Sequence, residues 1–500
     1  MMNSVKYPLP PGRGEFKQAA AQLHSELQIQ GLTADSRDIK QGDTFVAYKG
    51  ERVDGRDYIA DAIERGAQSV IWDPEGFDWP VKWQAISHRS VTNLKDNISV
   101  IAAEVYGNPS QQLRVTGVTG TNGKSSCSLW LAQLLSRIDG NCAVMGTLGN
   151  GIWPHLSESQ NTTADAIECQ KWLKSFVDQH CKDCVMEVSS HGLVQGRVGG
   201  VNFTGAIFTN LTRDHLDYHG TMEAYAEAKA LLFQAQGLQW AVINYDDEFG
   251  KNLLNRYRTA IPQVIGYSLT ATDNPGILSA FNIRLSAQGA EFDFSFEGKT
   301  YHVSSPLLGR FNVANLLAVL AALICLDINL NQVVGPIASL NPPPGRLEKI
   351  ISKNGFVAVI DYAHTPDALE QVLITLREIT PTHNNLICVF GCGGNRDKGK
   401  RSLMGKVVDQ FADQIIVTND NPRDEEPEEI IHAIQSGIAG VSKAILDRRE
   451  AIEYALSCAR PGDVVLVAGK GHEDYQEVKG VKHYFSDQQV VKEYLQRSEG

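Results

Sequence analysis

No apolar run in this chain is long enough to cross a bilayer: the longest, Leu316–Leu326, falls well short of the roughly 20 residues a spanning helix needs. The opening stretch MMNSVKYPLPPGRG has no apolar core and no cleavage pattern, so no export signal is expected. Positive charge is in deficit. With 46 Lys and Arg against 58 Asp and Glu, the formal net charge is −12, which argues against nucleic acid as a partner, because a phosphate backbone demands a concentrated basic surface. A small anion held by local arginines and lysines is still allowed. The 9 cysteines show no regular framework. Cys181 and Cys184 form a C-x-x-C without a second pair or a histidine cluster, and they read as small buried hydrophobes rather than zinc or redox ligands. An odd count without an export signal fits a reducing cytoplasm. Internal repeats and low-complexity segments are also missing.

What is present is ordinary globular composition, 43% hydrophobic and 21% charged over 500 residues. At roughly 100–200 residues per domain this suggests about three domains. A helical pattern over Val91–Tyr106 ends in the turn residues Gly107-Asn-Pro-Ser110, and Asn341-Pro-Pro-Pro-Gly345 forms a stiff, helix-breaking hinge. The expected segments are therefore 1–105, 106–341 and 342–500. The last alternates strand-like runs (Phe356–Ile360, Leu386–Phe390, Gln414–Thr418, Val464–Ala468) with helical patterns such as Pro366–Ile379. The middle segment alternates similarly from Leu113 to Leu211 and then adds helices. Strand–helix alternation predicts an α/β protein with parallel, doubly wound sheets. In such sheets function gathers in the loops beyond the carboxyl ends of the strands.

The most informative of those loops is Gly117-Val-Thr-Gly-Thr-Asn-Gly-Lys-Ser-Ser126, between a short apolar strand (Leu113–Val118) and a helical pattern (Ser128–Ile138). A glycine-rich turn opening a helix aims several backbone N–H groups at one point, which suits a phosphate. Lys124 can then reach the outer phosphates and the Ser125 hydroxyl a Mg²⁺ ion. The strict G-x-x-x-x-G-K-[ST] pattern is not met, because Val118 stands at its first position, so this is a variant phosphate loop. Glu187 and His215, each following a strand-like run, are candidates to sit beside it. Mg²⁺ on a nucleotide takes only one or two protein ligands. The plain alternatives are a solvated strand end for Glu187 and a turn hydrogen bond for His215.

Lys229 falls on the apolar face of the helical pattern Thr221–Ala235, with Met222, Tyr225, Ala226, Leu232 and Phe233. Such a lysine either snorkels to water or is desolvated, and desolvation lowers its pKa. A neutral buried amine can add CO₂ and become a carbamate, a carboxylate-like metal ligand. Asn312 and Asn315 share one face of the helix that opens at Gly309-Arg-Phe-Asn and ends near Leu326; alone this is a generic helix start. Asp361-Tyr-Ala-His364 closes a strand after the proline hinge, with Arg346 just inside it.

Gly391-Cys-Gly-Gly-Asn-Arg396 resembles a dinucleotide loop, but the G-x-G-x-x-G fingerprint requires glycine where Arg396 stands, so NAD binding is rejected. An arginine at that tip suits a carboxylate, held by two parallel bonds. Asp420-Asn-Pro-Arg423 offers a second arginine, and Glu473, after the Gly469-Lys-Gly471 turn, an acceptor for an ammonium. Together they outline a pocket for a zwitterion carrying an extra carboxylate.

Taken together, Asp35-Ser-Arg37, the GTNGKS loop, Asn161-Thr-Thr163, Met186-Glu-Val-Ser-Ser-His-Gly192, Thr212-Arg-Asp-His215, Asp361-Tyr-Ala-His364 and the Asp-Asn-Pro-Arg run make nearly the whole chain resemble the Mur ligase family. Within that family it resembles the diaminopimelate-adding branch. That resemblance implies three domains: an N-terminal α/β domain for a uridine nucleotide, a central phosphate-loop ATPase-type domain with a parallel sheet, and a C-terminal Rossmann-like domain for the incoming amino acid. It implies a cytoplasmic enzyme of peptidoglycan precursor synthesis that uses ATP and Mg²⁺. Meso-diaminopimelate would be joined to the D-glutamate of UDP-N-acetylmuramoyl-L-alanyl-D-glutamate through an acyl phosphate. The expected partners are these small molecules, with neither nucleic acid nor membrane, and the enzyme is expected to be a monomer.

Residue by residue, the resemblance implies that Gly120, Thr121, Asn122, Gly123, Lys124, Ser125, Ser126, Asn312, Arg346 and Asp361 bind ATP. Ser125, Glu187, His215 and a carbamylated Lys229 would serve the metal, with Lys124, Glu187, His215 and Lys229 catalytic. Ser36, Asn161, Thr162, Thr163, Ser189, Gln195 and Arg197 would hold the UDP-muramoyl-dipeptide. Arg396, Asp420, Asn421, Pro422, Arg423, Gly469 and Glu473 would bind diaminopimelate. One departure is Ala164, where the family usually has proline after the paired threonines. The rival readings are a same-fold ligase adding L-lysine, against which the Asp-Asn-Pro-Arg run speaks, and a folylpolyglutamate synthase, against which the N-terminal Asp-Ser-Arg segment speaks. A GTPase switch would want an N-K-x-D, which is missing, and a non-catalytic binding protein would have no use for Lys124, Glu187, His215 and Lys229 together.

Overall fold

Strand–helix alternation folds here as layered α/β structure. The computed structural model describes residues 13–498 apart from 51, 52, 160, 236, 271 and 273. Residues 1–12, most of the stretch read for an export signal, lie outside the described residues. No helix among the described residues is long and apolar enough to cross a membrane. The chain gathers into two compact units, Met1–Ser279 with Asn315–Val333, and Ala280–Ala314 with Val334–Gly500.

The first unit opens with a parallel four-stranded sheet, Gly31–Thr33, Asp43–Ala47, Ser69–Trp72 and Ser87–Ser90 in sequence order. The helix Leu94–Val105 buries Leu94, Ile98, Ile101 and Ala102 in the same core as Leu23 and Leu27 of the helix Arg13–Leu27. It starts at Leu94 rather than Val91 because Asn93 takes a left-handed φ of 54° and breaks the helical run. The second sheet is centred on Arg114–Thr119, flanked in parallel by Asp183–Glu187 on one side and Gly205–Phe208 on the other. The chain leaves this middle strand for one side of the sheet and later returns on the other. That arrangement opens a crevice at the carboxyl end of Arg114–Thr119, the usual ligand position in an α/β sheet. The following helix spans Lys124–Ile138. It begins ahead of the apolar period at Ser128 because Gly123, at φ +84°, turns the chain directly into helix over small residues.

The helices expected after Leu211 are present, and unexpected strands accompany them. The strands Trp240–Asn244 and Gln263–Ser268 extend the parallel sheet, and an antiparallel ribbon of Ile277–Ser286, Gly289–Phe296 and Lys299–Ser305 follows, which from Ala280 on belongs to the second unit. The missed signal is strict alternation: Ala290, Phe292 and Phe294 are buried, while Glu291 and Ser295 face solvent.

In the second unit a six-stranded sheet runs in the order Glu348–Ile351, Val357–Asp361, Val464–Ala468, Leu386–Phe390, Gln414–Val417, Ser442–Ala444. Only its first edge is antiparallel. Apolar clusters cover both faces of the central strands, which explains why these strands read as unbroken apolar runs. All four expected strands and the helix Pro366–Ile379 are present, with ends shifted by a residue at most. Their carboxyl ends carry Asp361, Gly391, Thr418 and Gly469 to one edge of the sheet.

Candidate functional site

The phosphate loop is held in a conformation that only its glycines allow. Gly120 has φ +149° and Gly123 φ +84°. A Cβ on Gly120 would lie 1.8 Å from Thr209 Oγ1, and one on Gly123 2.5 Å from Asn315 Oδ1. The end of the neighbouring strand laces the loop down: the Thr121 N–H donates to Asn210 O at 2.8 Å, the Asn122 N–H to Asn210 Oδ1 at 2.9 Å, and the Thr209 hydroxyl to Asn122 O. Lys124 Nζ folds back and donates to the carbonyls of Gly120 and Thr121, each at 2.9 Å. Ser125 and Ser126 lie in the first turn of the helix.

Glu187 ends its strand 2% exposed. It accepts from the Ser125 hydroxyl and from the Thr147 N–H, both at 2.9 Å. Burial pushes its pKa up, opposed by the charge of Lys124 and by these hydrogen bonds. A hydroxyl and a buried carboxylate in contact at a helix N-terminus form a hard-oxygen donor set, and this chemistry fits Mg²⁺. His215 is half exposed beside Asp214. Its loop is fastened to the phosphate loop through Thr212, whose N–H donates to Thr121 Oγ1 at 3.0 Å, and its ring lies edge-on to those of His191 and Tyr225.

Lys229 is 1% exposed, so of the two readings of its helix face, burial holds. Its Nζ donates to Gly120 O at 2.9 Å and lies 4.2 Å from the centre of the Tyr225 ring. Gly120 O thus accepts from both lysines. Burial, and secondarily the charge of Lys124, lowers the Lys229 pKa to about 6. The helix itself is Met222–Ala230, and the rest of the expected run tightens into a 3₁₀ turn, Leu231–Gln234.

Next to Glu187 lies a second network. Thr163 is buried; its hydroxyl donates to Glu187 O at 3.0 Å and accepts from the Ser189 N–H at 2.9 Å. Arg197 Nη1 donates to Thr163 O, and its Nε to Gln195 Oε1, both at 2.8 Å. The Thr147 hydroxyl donates to Thr162 Oγ1 at 3.0 Å. Asn161 accepts from the Ser159 hydroxyl through its carbonyl. Ala164 packs half-buried against the core. Ser36, in the N-terminal sheet layer, is buried in a 3₁₀ turn capped by Asp35. Thr147, Thr209 and Asn210 were missed from sequence; their signal was their position directly after a strand.

In the second unit, Asp361 is 4% exposed and accepts from the backbone N–H groups of Leu347 and Ala363, both at 2.8 Å. Burial raises its pKa against the nearby Arg346 charge. It therefore pins the segment that carries Arg346, whose guanidinium lies 5.1 Å from the centre of the Tyr362 ring. Asn312 is buried and donates to Leu308 O at 2.8 Å. Asn315, in the first unit, is buried against Gly123.

Arg396 and Arg423 both flank Gly393: a Cβ there would lie 2.9 Å from Arg423 Nη1 and 4.0 Å from Arg396 Cγ. Arg396 is exposed. Arg423, at a left-handed φ of 53°, donates from Nη1 to Gly394 O at 2.8 Å and from Nε to Glu477 at 3.1 Å. The hairpin Tyr475–Val478/Val481–Tyr484 clamps this loop, because the Arg423 N–H donates to Glu477 O and the Lys479 N–H to Arg423 O. Pro422 O lies where a Cβ on Gly394 would collide, and Asp420 Oδ2 where one on Gly469 would, so both glycines are fixed by close approach. Asn421 Nδ2 donates to Glu473 Oε2 at 3.1 Å. Two further features here escaped the sequence reading. Lys470 is 0% exposed, and Arg448 and Asp487 form an ion pair at 2.7 Å with neither side chain exposed.

Comparison with known proteins follows the same geography. Residues 28–113 match the Mur ligase family catalytic domain, 118–323 the Mur ligase middle domain and 345–471 the Mur ligase glutamate ligase domain. A UDP-N-acetylmuramoyl-L-alanyl-D-glutamate–2,6-diaminopimelate ligase of Chromobacterium violaceum is 47% identical over 472 residues, 94% of either chain. A solved structure of a ligase of that name superposes with a TM-score of 0.74 at 38% identity, covering 94% of this chain and 96% of the other. A MurF ligase of Thermotoga maritima in complex with ADP, at 19% identity and a TM-score of 0.63 over 95% of this chain and 99% of its own, shares the fold. The phosphate loop, the Glu187 network and the arginine-bearing turns thus stand on a known scaffold, and the chain belongs to the Mur ligase family.

Proposed function

We propose that this protein is an ATP-dependent amide ligase that joins meso-diaminopimelate to the D-glutamyl γ-carboxylate of UDP-N-acetylmuramoyl-L-alanyl-D-glutamate in the cytoplasm. The observation that carries the reading is the pairing of Arg396 and Arg423 about Gly393 beside Glu473, in a chain 47% identical to a ligase of that name. Segments 1–105, 106–341 and 342–500 then serve the uridine nucleotide, ATP and the amino acid.

The chemistry divides among the residues described. The backbone of Gly120–Gly123 and the ammonium of Lys124 receive the phosphates of ATP, and the family resemblance assigns Asn312, Arg346 and Asp361 to the same nucleotide. Ser125, Glu187, His215 and a carbamylated Lys229 would hold Mg²⁺, which when bound neutralises phosphate charge. Ser36, Asn161, Thr162, Thr163, Ser189, Gln195 and Arg197 orient the UDP-muramoyl-dipeptide. The γ-phosphoryl group passes to the D-glutamyl carboxylate, giving an acyl phosphate. The diaminopimelate amine attacks its carbonyl carbon, phosphate leaves, and the amine proton is lost as the amide forms. Asp420 to Arg423, Arg396, Gly469 and Glu473 hold the far end of the diamino acid.

Lysine lacks the distal carboxylate and offers the exposed Arg396 and the partly exposed Arg423 no anionic partner; the buried-pair penalty expected from sequence does not apply, because Arg423 already pairs with Glu477. The test is ADP release with UDP-muramoyl-dipeptide and either meso-diaminopimelate or L-lysine. Diaminopimelate should support turnover and lysine should not, and Arg423→Ala should lose diaminopimelate use while still binding ATP. Equal use of lysine by the unaltered enzyme would overturn the substrate assignment.

A further inference from the structure

Lys470 is a fully buried lysine in the middle of the turn that follows Val464–Ala468. Its Nζ donates to Asn421 Oδ1 and to Glu473 Oε2, each at 3.2 Å, and lies 3.8 Å from Asp420 Oδ1. Those three side chains belong to the group read above as holding the distal end of the diamino acid. The same Asn421 oxygen accepts from the Glu477 N–H at 2.9 Å. Asn421 is thereby fixed in one amide orientation, and one oxygen of Glu473 is committed to partners inside the protein.

The charges around this point decide what else can enter. Asp420, Glu473 and Glu477 are negative, while Lys470, Arg423 and the nearby Arg396 are positive, so these charges balance. Arg448, which also faces Asp420 and Glu473, is compensated by Asp487. An internal ammonium already satisfies part of the acidic surface. A second ammonium arriving alone adds net positive charge beside the buried Lys470, where repulsion is less screened than in water. An ammonium arriving with its own carboxylate brings no net charge, and its carboxylate meets the arginines.

We propose that Lys470 is a specificity-determining residue of the acceptor site. Its ammonium occupies the cation position among Asp420, Asn421 and Glu473, and a distal ammonium is admitted only together with a carboxylate. This rests on the reading of these turns as the amino-acid site. The arginines reward the distal carboxylate, and Lys470 penalises its absence, so selectivity has an attractive and a repulsive part.

The test compares kcat/KM for meso-diaminopimelate and for L-lysine, by ADP release at saturating ATP and UDP-muramoyl-dipeptide, in K470M, K470Q and K470R. The ratio of the two constants is independent of the fraction of active enzyme, so partial misfolding cancels. In K470M and K470Q the lysine-to-diaminopimelate ratio should rise by about tenfold or more, the size expected when a like-charge contact is removed. In K470R, which keeps the charge, it should stay near the unaltered value. Arg423→Ala, run alongside, reports on the site itself. If it loses diaminopimelate use while the neutral Lys470 variants weaken both substrates in proportion, Lys470 is only structural and the proposal falls with the site intact. If neither Arg423→Ala nor K470M changes diaminopimelate kinetics, the site reading falls as well. Neutral variants unable to turn over either amino acid would likewise place Lys470 in the framework and overturn the proposal.

Discussion

At the scale of single residues, burial turns ordinary side chains into reagents. Lys229 has no carboxylate within hydrogen-bond reach among its described partners; it has a carbonyl, an aromatic face and, nearby, the like charge of Lys124. With its pKa lowered to about 6, the amine is mostly neutral at pH 7 and able to react with CO₂. Lys229→Ala should therefore abolish ADP release while leaving the far-UV spectrum unchanged, and a short added carboxylate should restore part of the rate. Normal turnover by that variant would remove Lys229 from the mechanism. Its place on an apolar helix face was legible in the sequence. Whether it snorkelled or was buried was not, because that depends on Gly120 and Tyr225 closing over it from other elements.

Elements are tied together by buried polar groups that no local pattern announces. Arg448 opens the helix Arg448–Cys458, and its guanidinium does three things. It pairs with Asp487 of the helix Asp487–Ser498, donates to Asn419 O at 3.1 Å, and donates to Ala468 O at 3.0 Å. Those two carbonyls immediately precede Asp420 and Gly469, so one side chain sets both acceptor turns. Removing one partner leaves a buried charge alone, which costs about 3–5 kcal/mol. Arg448→Met should lower the urea midpoint of the C-terminal unit accordingly. The double variant Arg448→Met/Asp487→Leu should recover much of the loss, since no charge is then unpaired. An unshifted midpoint in the single variant would mean the pair carries no stability. In sequence Arg448 sits in an Asp-Arg-Arg-Glu run that reads as a solvated helix start; only the neighbouring helix identifies it as core.

For the whole molecule, an excess of acid over base makes stability at low pH a matter of which carboxylates are paired. Glu425 accepts from Arg401 and from the Asn395 N–H, which draws its pKa down from 4.5 to about 2. A carboxyl whose folded pKa lies below its unfolded one adds stability that is complete above about pH 4.5 and is lost as pH falls through about 2. Glu425→Gln should be less stable than the unaltered protein by about 2 kcal/mol at neutral pH, the worth of hydrogen bonds to a charged group. Thermal melts along a pH series should show the two curves converging by about pH 2, and a gap that persists undiminished there would assign the effect to packing instead. Strand identity, helix periods and the glycine turns were determined by the sequence alone, because each depends on backbone sterics or on an apolar spacing within a few residues. So was the phosphate loop, whose chemistry is local. Only the tertiary structure decided the burial of Lys229 and Lys470 and the approach of Arg396 and Arg423 to Gly393. These depend on chain segments far apart in sequence, and desolvation is a property of everything packed around a group rather than of its neighbours along the chain.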